Sequence, residues 1–120
     1  MGLRPAMQDY EAWELERQFW TGGLEFYERH LDCECLMALP GVGVMRAAEI
    51  LASMKDAPRW VSVEMAERAM TKPSEIILVL AYRATGHRNG SAPYNAVCTS
   101  THRAAGTMWK LVQHQQTLVR

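Results

Sequence analysis

Nothing in this chain of 120 residues supplies a net charge, a membrane span or a disulfide framework. Thirteen basic side chains balance thirteen acidic ones, so no net field draws nucleic acid or an anionic membrane. No apolar run approaches the roughly 20 residues that cross a bilayer. The opening residues, Met1 to Asp9, lack the apolar stretch of a secretory signal, and the expected compartment is the cytoplasm. Cysteines number three, Cys33, Cys35 and Cys98, an odd count that argues for free thiols buried as small hydrophobes. Cys33 and Cys35 have the look of half a metal clip. Structural zinc needs wider spacing and a second ligand pair, so no metal is expected. Gly41 and Gly43 are followed by no Gly-Lys-Ser/Thr, and no Gly-x-Gly-x-x-Gly occurs, which favours a turn over a phosphate loop. No cofactor is expected.

What is present fits one domain over 1–120, with residues 1–8 as a flexible N-terminal arm; nearly half of the sequence is apolar, enough for one core. Three short amphipathic helices come first. Helix one is predicted from about Asp9 to Trp20, with Asp9 as N-cap, Ala12, Leu15 and Phe19 as a buried stripe, and Gly22-Gly23 ending it in a left-handed turn. Helix two spans about Leu24 to Leu31, with Leu24, Tyr27 and Leu31 inward. The run Cys35–Leu39 is a strand or extended link, stopped by Pro40-Gly41. Helix three carries Val44, Ala47, Ala48 and Leu51 on one side.

After Asp56-Ala57-Pro58 the period becomes two, and four strands follow. Val61, Val63 and Met65 alternate with polar residues. Lys72-Pro73-Ser74 reads as a turn. Glu75 to about His87 is the most apolar strand and central. Arg88-Asn89-Gly90-Ser91 is a hairpin signal, with His87 and Arg88 read as a solvated turn. Tyr94–Arg103 and Met108 to about Leu118 complete the set.

Several local words carry a resemblance: Phe19-Trp20-Thr21-Gly22, Phe26-Tyr27 through Leu31, Tyr82-Arg83-Ala84-Thr85, and Trp109 with His114-Gln115-Gln116-Thr117. With the element order they resemble the nuclear transport factor 2-like superfamily, in its SnoaL-like branch related to polyketide cyclases and ketosteroid isomerases. The resemblance covers nearly the whole chain and implies an α+β, cystatin-like cone: a curved, mostly antiparallel sheet wrapped around three N-terminal helices. Function transfers poorly within it, since members include isomerases, cyclases, dehydratases, transport adaptors and non-catalytic subunits. Ketosteroid isomerase chemistry uses an Asp base with a Tyr and a protonated Asp as oxyanion donors. Those positions fall here near Leu39, Leu15 and Thr101 or Thr99. A Leu accepts no proton and a Thr is no carboxylic acid, so that mechanism is not expected.

The superfamily pattern implies that the Leu80–Tyr82–Ala84, Thr99–Thr101 and His114–Gln116 faces look into the cone. A one-residue slip would reverse each assignment. The lining so implied is Trp13, Tyr27, Leu39, Trp60, Tyr82, Thr99, Thr101, His114 and Gln116, the mostly apolar composition of a small-molecule site. His114 alone there titrates near neutrality and is the acid–base candidate; the competing reading is a structural histidine. Thr99 and Thr101 also read as strand formers, Tyr27 and Tyr82 as core aromatics, and Trp60 as lid or packing residue. Cys98, Ser100, His102, Trp109, Leu111 and Gln113 fall on the outer face, the expected surface of a homodimer. Two functions stay open. One is a pocket protein for a small, largely apolar molecule, with proton transfer through His114 in isomerase, cyclase or lyase style. The other is a non-catalytic dimerisation or interaction module with a vestigial pocket.

Overall fold

A computed structural model describes residues 7–119. Helix α1, Asp9–Thr21, is capped one residue earlier than expected. Gln8 is the N-cap, and its backbone N–H donates to the Glu11 carboxylate at 3.1 Å, leaving Asp9 inside the first turn at the positive end of the dipole. Met7 packs on the core and Gln8 caps the helix, so neither belongs to a loose arm; the rest of that expected arm lies outside the described residues. The helix stops at Gly22, but not in a left-handed turn: its φ is −76°. Glycine is required there by proximity, since a Cβ would lie 2.6 Å from the Gln18 carbonyl oxygen.

Helix α2, Leu24–His30, turns directly into β1, Leu31–Leu39. A tight turn leads to β2, Gly43–Arg46, so Val44 lies in a strand and not on the third helix. Helix α3, Ala47–Ser53, buries Ala47 and Ile50, with Met54 just beyond it. Ala48 faces water, which moves the apolar stripe from that read in the sequence.

Four long strands follow: β3 Ser62–Ser74, β4 Ile77–His87, β5 Tyr94–Ala105 and β6 Met108–Leu118. They join β1 and β2 in one six-stranded sheet ordered β2-β1-β6-β5-β4-β3, antiparallel except where β1 runs parallel to β6. Lys72-Pro73-Ser74 belongs to β3 instead of forming a turn. An edge strand tolerates this, because proline there forfeits no ladder donor.

Cross-strand register decides which side chains face the helices. Leu80 pairs with Ser100 and Ser100 with His114; Tyr82 pairs with Cys98 and Cys98 with Gln116. These rows line the concave side. Val79–Thr101–Gln113 and Ala81–Thr99–Gln115 alternate onto the convex side. A register shift between Thr101 and His102 leaves Val112 as the extra residue of β6. Trp109 and Leu111 therefore point inward together with His114, although simple alternation separates them.

The interior holds two apolar clusters. One, under β3, β4 and β5, contains Ala12, Trp13, Val63, Met65, Leu78 and Leu80. The other, beneath β1 and α3, contains Phe19, Tyr27, Met37, Ile50, Met54 and Leu111. Between them lies a group of polar residues.

Candidate functional site

Glu16 is fully buried at the middle of α1. It shares a helical face with Ala12 and Trp20, at i−4 and i+4, and so is carried against the concave sheet. An ionised carboxylate is tolerated inside a protein only when donors surround it. Three do so here: Tyr82 Oη at 2.5 Å and Ser100 Oγ at 2.6 Å reach Oε2, while His102 Nε2 reaches Oε1 at 2.8 Å. Each comes from β4 or β5, so α1 and the sheet centre are tied by one side chain. Burial alone would raise the Glu16 pKa, but the hydrogen bond and field of His102, the field of His114 and the Ser100 hydroxyl outweigh it. The carboxyl is held at about 2, below its ordinary 4.5.

The ionised carboxylate fixes the direction of every neighbouring hydrogen bond. Ser100 Oγ lies 2.6 Å from Glu16 Oε2 and 2.6 Å from His114 Nδ1. Its single proton must go to the carboxylate, since two oxygens so close repel with no proton between them. Nδ1 of His114 then carries a proton and donates it to Ser100. His114 Nε2 is left as an acceptor and receives the Gln116 amide N–H at 3.0 Å, while Gln116 Oε1 accepts from Tyr94 Oη at 2.8 Å. Trp20 Nε1 donates to Tyr82 Oη at 2.9 Å, and Tyr82 donates onward to Glu16. All the donors thus run toward one carboxylate. Burial, with His102 nearby, lowers the His114 pKa below 6.5 in spite of Glu16, which keeps the ring neutral near pH 7.

His114 and Gln116 form one edge of a cavity of about 380 Å³ between α3, the ends of α1 and α2, and the sheet. Its wall is mostly apolar, including Phe19, Met37, Leu39, Met45, Ile50 and Met54. Trp60 and Tyr94 close one side, with ring centroids 5.1 Å apart, and Trp60 also packs on Trp20 at 5.5 Å. Gly86 makes this stacking possible: a Cβ there would lie 2.9 Å from the Trp60 ring and 3.2 Å from Trp20. Chemically, the site offers a neutral imidazole whose unprotonated Nε2 accepts the Gln116 N–H and is freed for a substrate proton when that amide gives way. If Nε2 takes a proton, the resulting cation is linked through Ser100 to a buried carboxylate, a hydroxyl-bridged counterpart of a His–carboxylate pair. Among the described residues no group of three or more His, Cys, Asp or Glu is disposed to hold a metal ion.

Of the residues singled out in the sequence, Tyr27, Leu39, Trp60, His114 and Gln116 line this cavity. Tyr82 lies one layer behind, bonded to Glu16 and Trp20. Trp13 stands on the far side of Tyr82, edge-on at 5.6 Å, and lines a more open groove outside α1 with Tyr10, Arg17, His30 and Arg68. Thr99 and Thr101 are on the convex face, where they bond Gln113, whereas Ser100 and His102 are the inward pair. The reversal has a physical cause. Glu16 requires donors, and Ser100 and His102 satisfy it, while β-branched threonines suit either face of a sheet. Cys98 also points inward, on the His114 side, and burial raises its thiol to about 12, so it remains protonated. Arg88 is no solvated turn residue: its guanidinium lies 3.8 Å from the Trp60 ring centroid.

Glu16, Ser100, His102, Arg59 and Arg88 were not singled out in the sequence as site residues. For Glu16 a signal exists: an acid placed i+4 from Ala12 and i−4 from Trp20 interrupts the buried face of α1. The arginines left none, because their contacts join distant segments.

No family model and no curated protein sequence matches the chain. Solved structures do resemble it. An NTF2-like protein of unknown function in nutrient uptake from Rhodospirillum rubrum ATCC 11170 superposes with a TM-score of 0.77 at 18% identity, over 94% of this chain and 100% of that one. A putative Ca/calmodulin-dependent kinase II association domain from Exiguobacterium sibiricum 255-15 gives 0.75 at 16% identity, over 99% and 98%. A CaMKII hub homology domain from Chlamydomonas reinhardtii gives 0.69 at 18%, over 92% and 94%. At these identities the likeness establishes the fold: the α+β cone is NTF2-like. None of the described helices is long and apolar enough to cross a membrane.

Proposed function

We propose that this NTF2-like chain is a pocket protein for a small, largely apolar molecule, and that His114 is its acid–base group. The observation that carries the reading is the pairing of a 380 Å³ apolar cavity with an oriented imidazole at its edge. That volume falls within the roughly 300–1,000 Å³ of small-molecule sites. A wholly structural interior would be more stable if apolar, so the polar chain from Gln116 through His114 and Ser100 to Glu16 supports a role in ligand handling. Proton transfer of isomerase, cyclase or lyase type fits a neutral imidazole whose acceptor nitrogen becomes available once the Gln116 amide turns away.

The test is thermal shift across a library of small apolar and aromatic compounds, followed by the hit on His114→Ala. A ligand at about 100 times its Kd raises stability by roughly 2.7 kcal/mol. His114→Ala leaves the Ser100 bond to Glu16 in place, so the variant should stay folded and lose the ligand response. Silence of the folded wild-type protein across the library would exclude the reading.

A second reading, an oligomerisation module, is favoured by the convex face of β4, β5 and β6. It carries Val79, Ala81 and a 42% exposed Val97 among Thr99, Thr101 and Gln115. Two of the similar structures are described as an association domain and a hub homology domain, which supports assembly, with a homodimer through this face as the specific form. Sedimentation decides it: a mass of one chain at micromolar concentration excludes the dimer.

A further inference from the structure

Among the described residues, the cavity wall holds two arginines, Arg59 and Arg88, and no acidic side chain. They are not equivalent. Arg59 is committed to the protein, with Nε donating to the Gly22 carbonyl at 2.7 Å and Nη2 to those of Phe19 and Trp20 at 2.6 and 2.8 Å. Arg88 is stacked on Trp60, while its Nε is buried without a hydrogen-bond partner. An unsatisfied buried donor on a cation is among the more costly arrangements in a folded protein. Stacking occupies the face of the guanidinium and leaves its edge. Its Nε–H is closed off from open space, so what that edge offers a ligand is the two Nη groups, whose paired N–H donors match the two oxygens of a carboxylate.

We infer that the molecule taken by this cavity carries a carboxylate, gripped by the Arg88 edge, with its apolar body against Met37, Met45, Ile50 and Met54. The inference rests on the pocket reading and narrows its ligand class to small apolar monoacids. Arg59 adds positive potential in the same wall, and no carboxylate of the lining competes for the guanidinium. Neutral His114 and Gln116 then face the body of the ligand and not its charged end.

The experiment compares three ligands of one shape: 3-phenylpropanoate, 3-phenylpropanamide and 3-phenylpropylamine. Each is titrated calorimetrically at about pH 7, where the acid is ionised and the amine protonated. The wild-type chain should bind the acid about tenfold or more tighter than the amide, and the amine least. Arg88→Met should abolish the difference while leaving amide binding unchanged, and Arg88→Lys, which keeps the charge without the planar edge, should reduce it. If Arg88→Met does not fold, Arg88→Lys carries the comparison. Amide binding equal to or tighter than the acid overturns the carboxylate and leaves the pocket reading standing. So does an acid preference that survives in folded Arg88→Met. No binding by any of the three at concentrations on the order of 1 mM overturns both.

Discussion

The two faces of the sheet use the same kinds of residue for opposite purposes. On the concave face Ser100, His102 and Tyr82 all serve Glu16, each buried and each with its hydrogen bond fixed in direction. On the convex face Thr99, Thr101 and Gln113 also bond one another, but half-exposed and within reach of water. Hydroxyls and amides are thus no guide to depth by themselves. What separates the faces is an unreplaceable partner: water can stand in for Gln113, and nothing can stand in for Glu16.

That contrast can be broken most severely by Glu16→Leu. The change leaves three buried donors unsatisfied at about 1–3 kcal/mol each and, after partial repair, should lower unfolding free energy by about 3–5 kcal/mol in urea titration. Acid acts on the same group more gently. Because the folded-state pKa of Glu16 is depressed from 4.5 to about 2, its contribution is fully present above 4.5 and is lost as pH falls through about 2. The loss is on the order of 3 kcal/mol at 1.36 kcal/mol per unit, read as a falling urea midpoint over that window. His114, also depressed, contributes in the same sense, with loss beginning as the unfolded chain gains a proton below 6.5. A Glu16→Leu protein whose midpoint still falls by the full amount between 4.5 and 2 would assign the acid limb to other carboxylates. Smallest of all is Thr101→Val on the convex face, expected within about 0.5 kcal/mol of wild type in the same titration. A larger effect there would mean that this face is buried in solution, which a sedimentation mass would reveal.

Much of the fold was legible because it is written in periodicity. The change from helical to two-residue spacing after Pro58 marks where the strands begin, and the long strands β4, β5 and β6 lie close to their expected spans. Boundaries shifted where one residue has two plausible partners, as with Gln8 and Asp9 at the start of α1. The site was legible only in part. His114, Gln116, Tyr27, Leu39 and Trp60 converge on one cavity, but β5 was read with the wrong parity. Its inward residues, Ala96, Cys98, Ser100 and His102, are no more hydrophobic than its outward ones, and Val97 is outward. Alternation gives two faces without saying which is inside; the buried carboxylate on α1 decides. The inward turn of Trp109 and Leu111 depends on a bulge at Val112, which sequence spacing does not reveal.

Arg59 has a wider effect than its place in the cavity wall suggests. The last turn of α1 contains no basic residue, and this side chain, entering from the approach to β3, supplies the missing cation to three carbonyls there and meets the Tyr27 hydroxyl at 3.1 Å. One guanidinium therefore pins the helix corner and shapes the chamber beside it. A ligand that presses on this guanidinium would strain the corner as well, so amide exchange at the end of the first helix is a natural gauge of whether that side of the chamber is occupied.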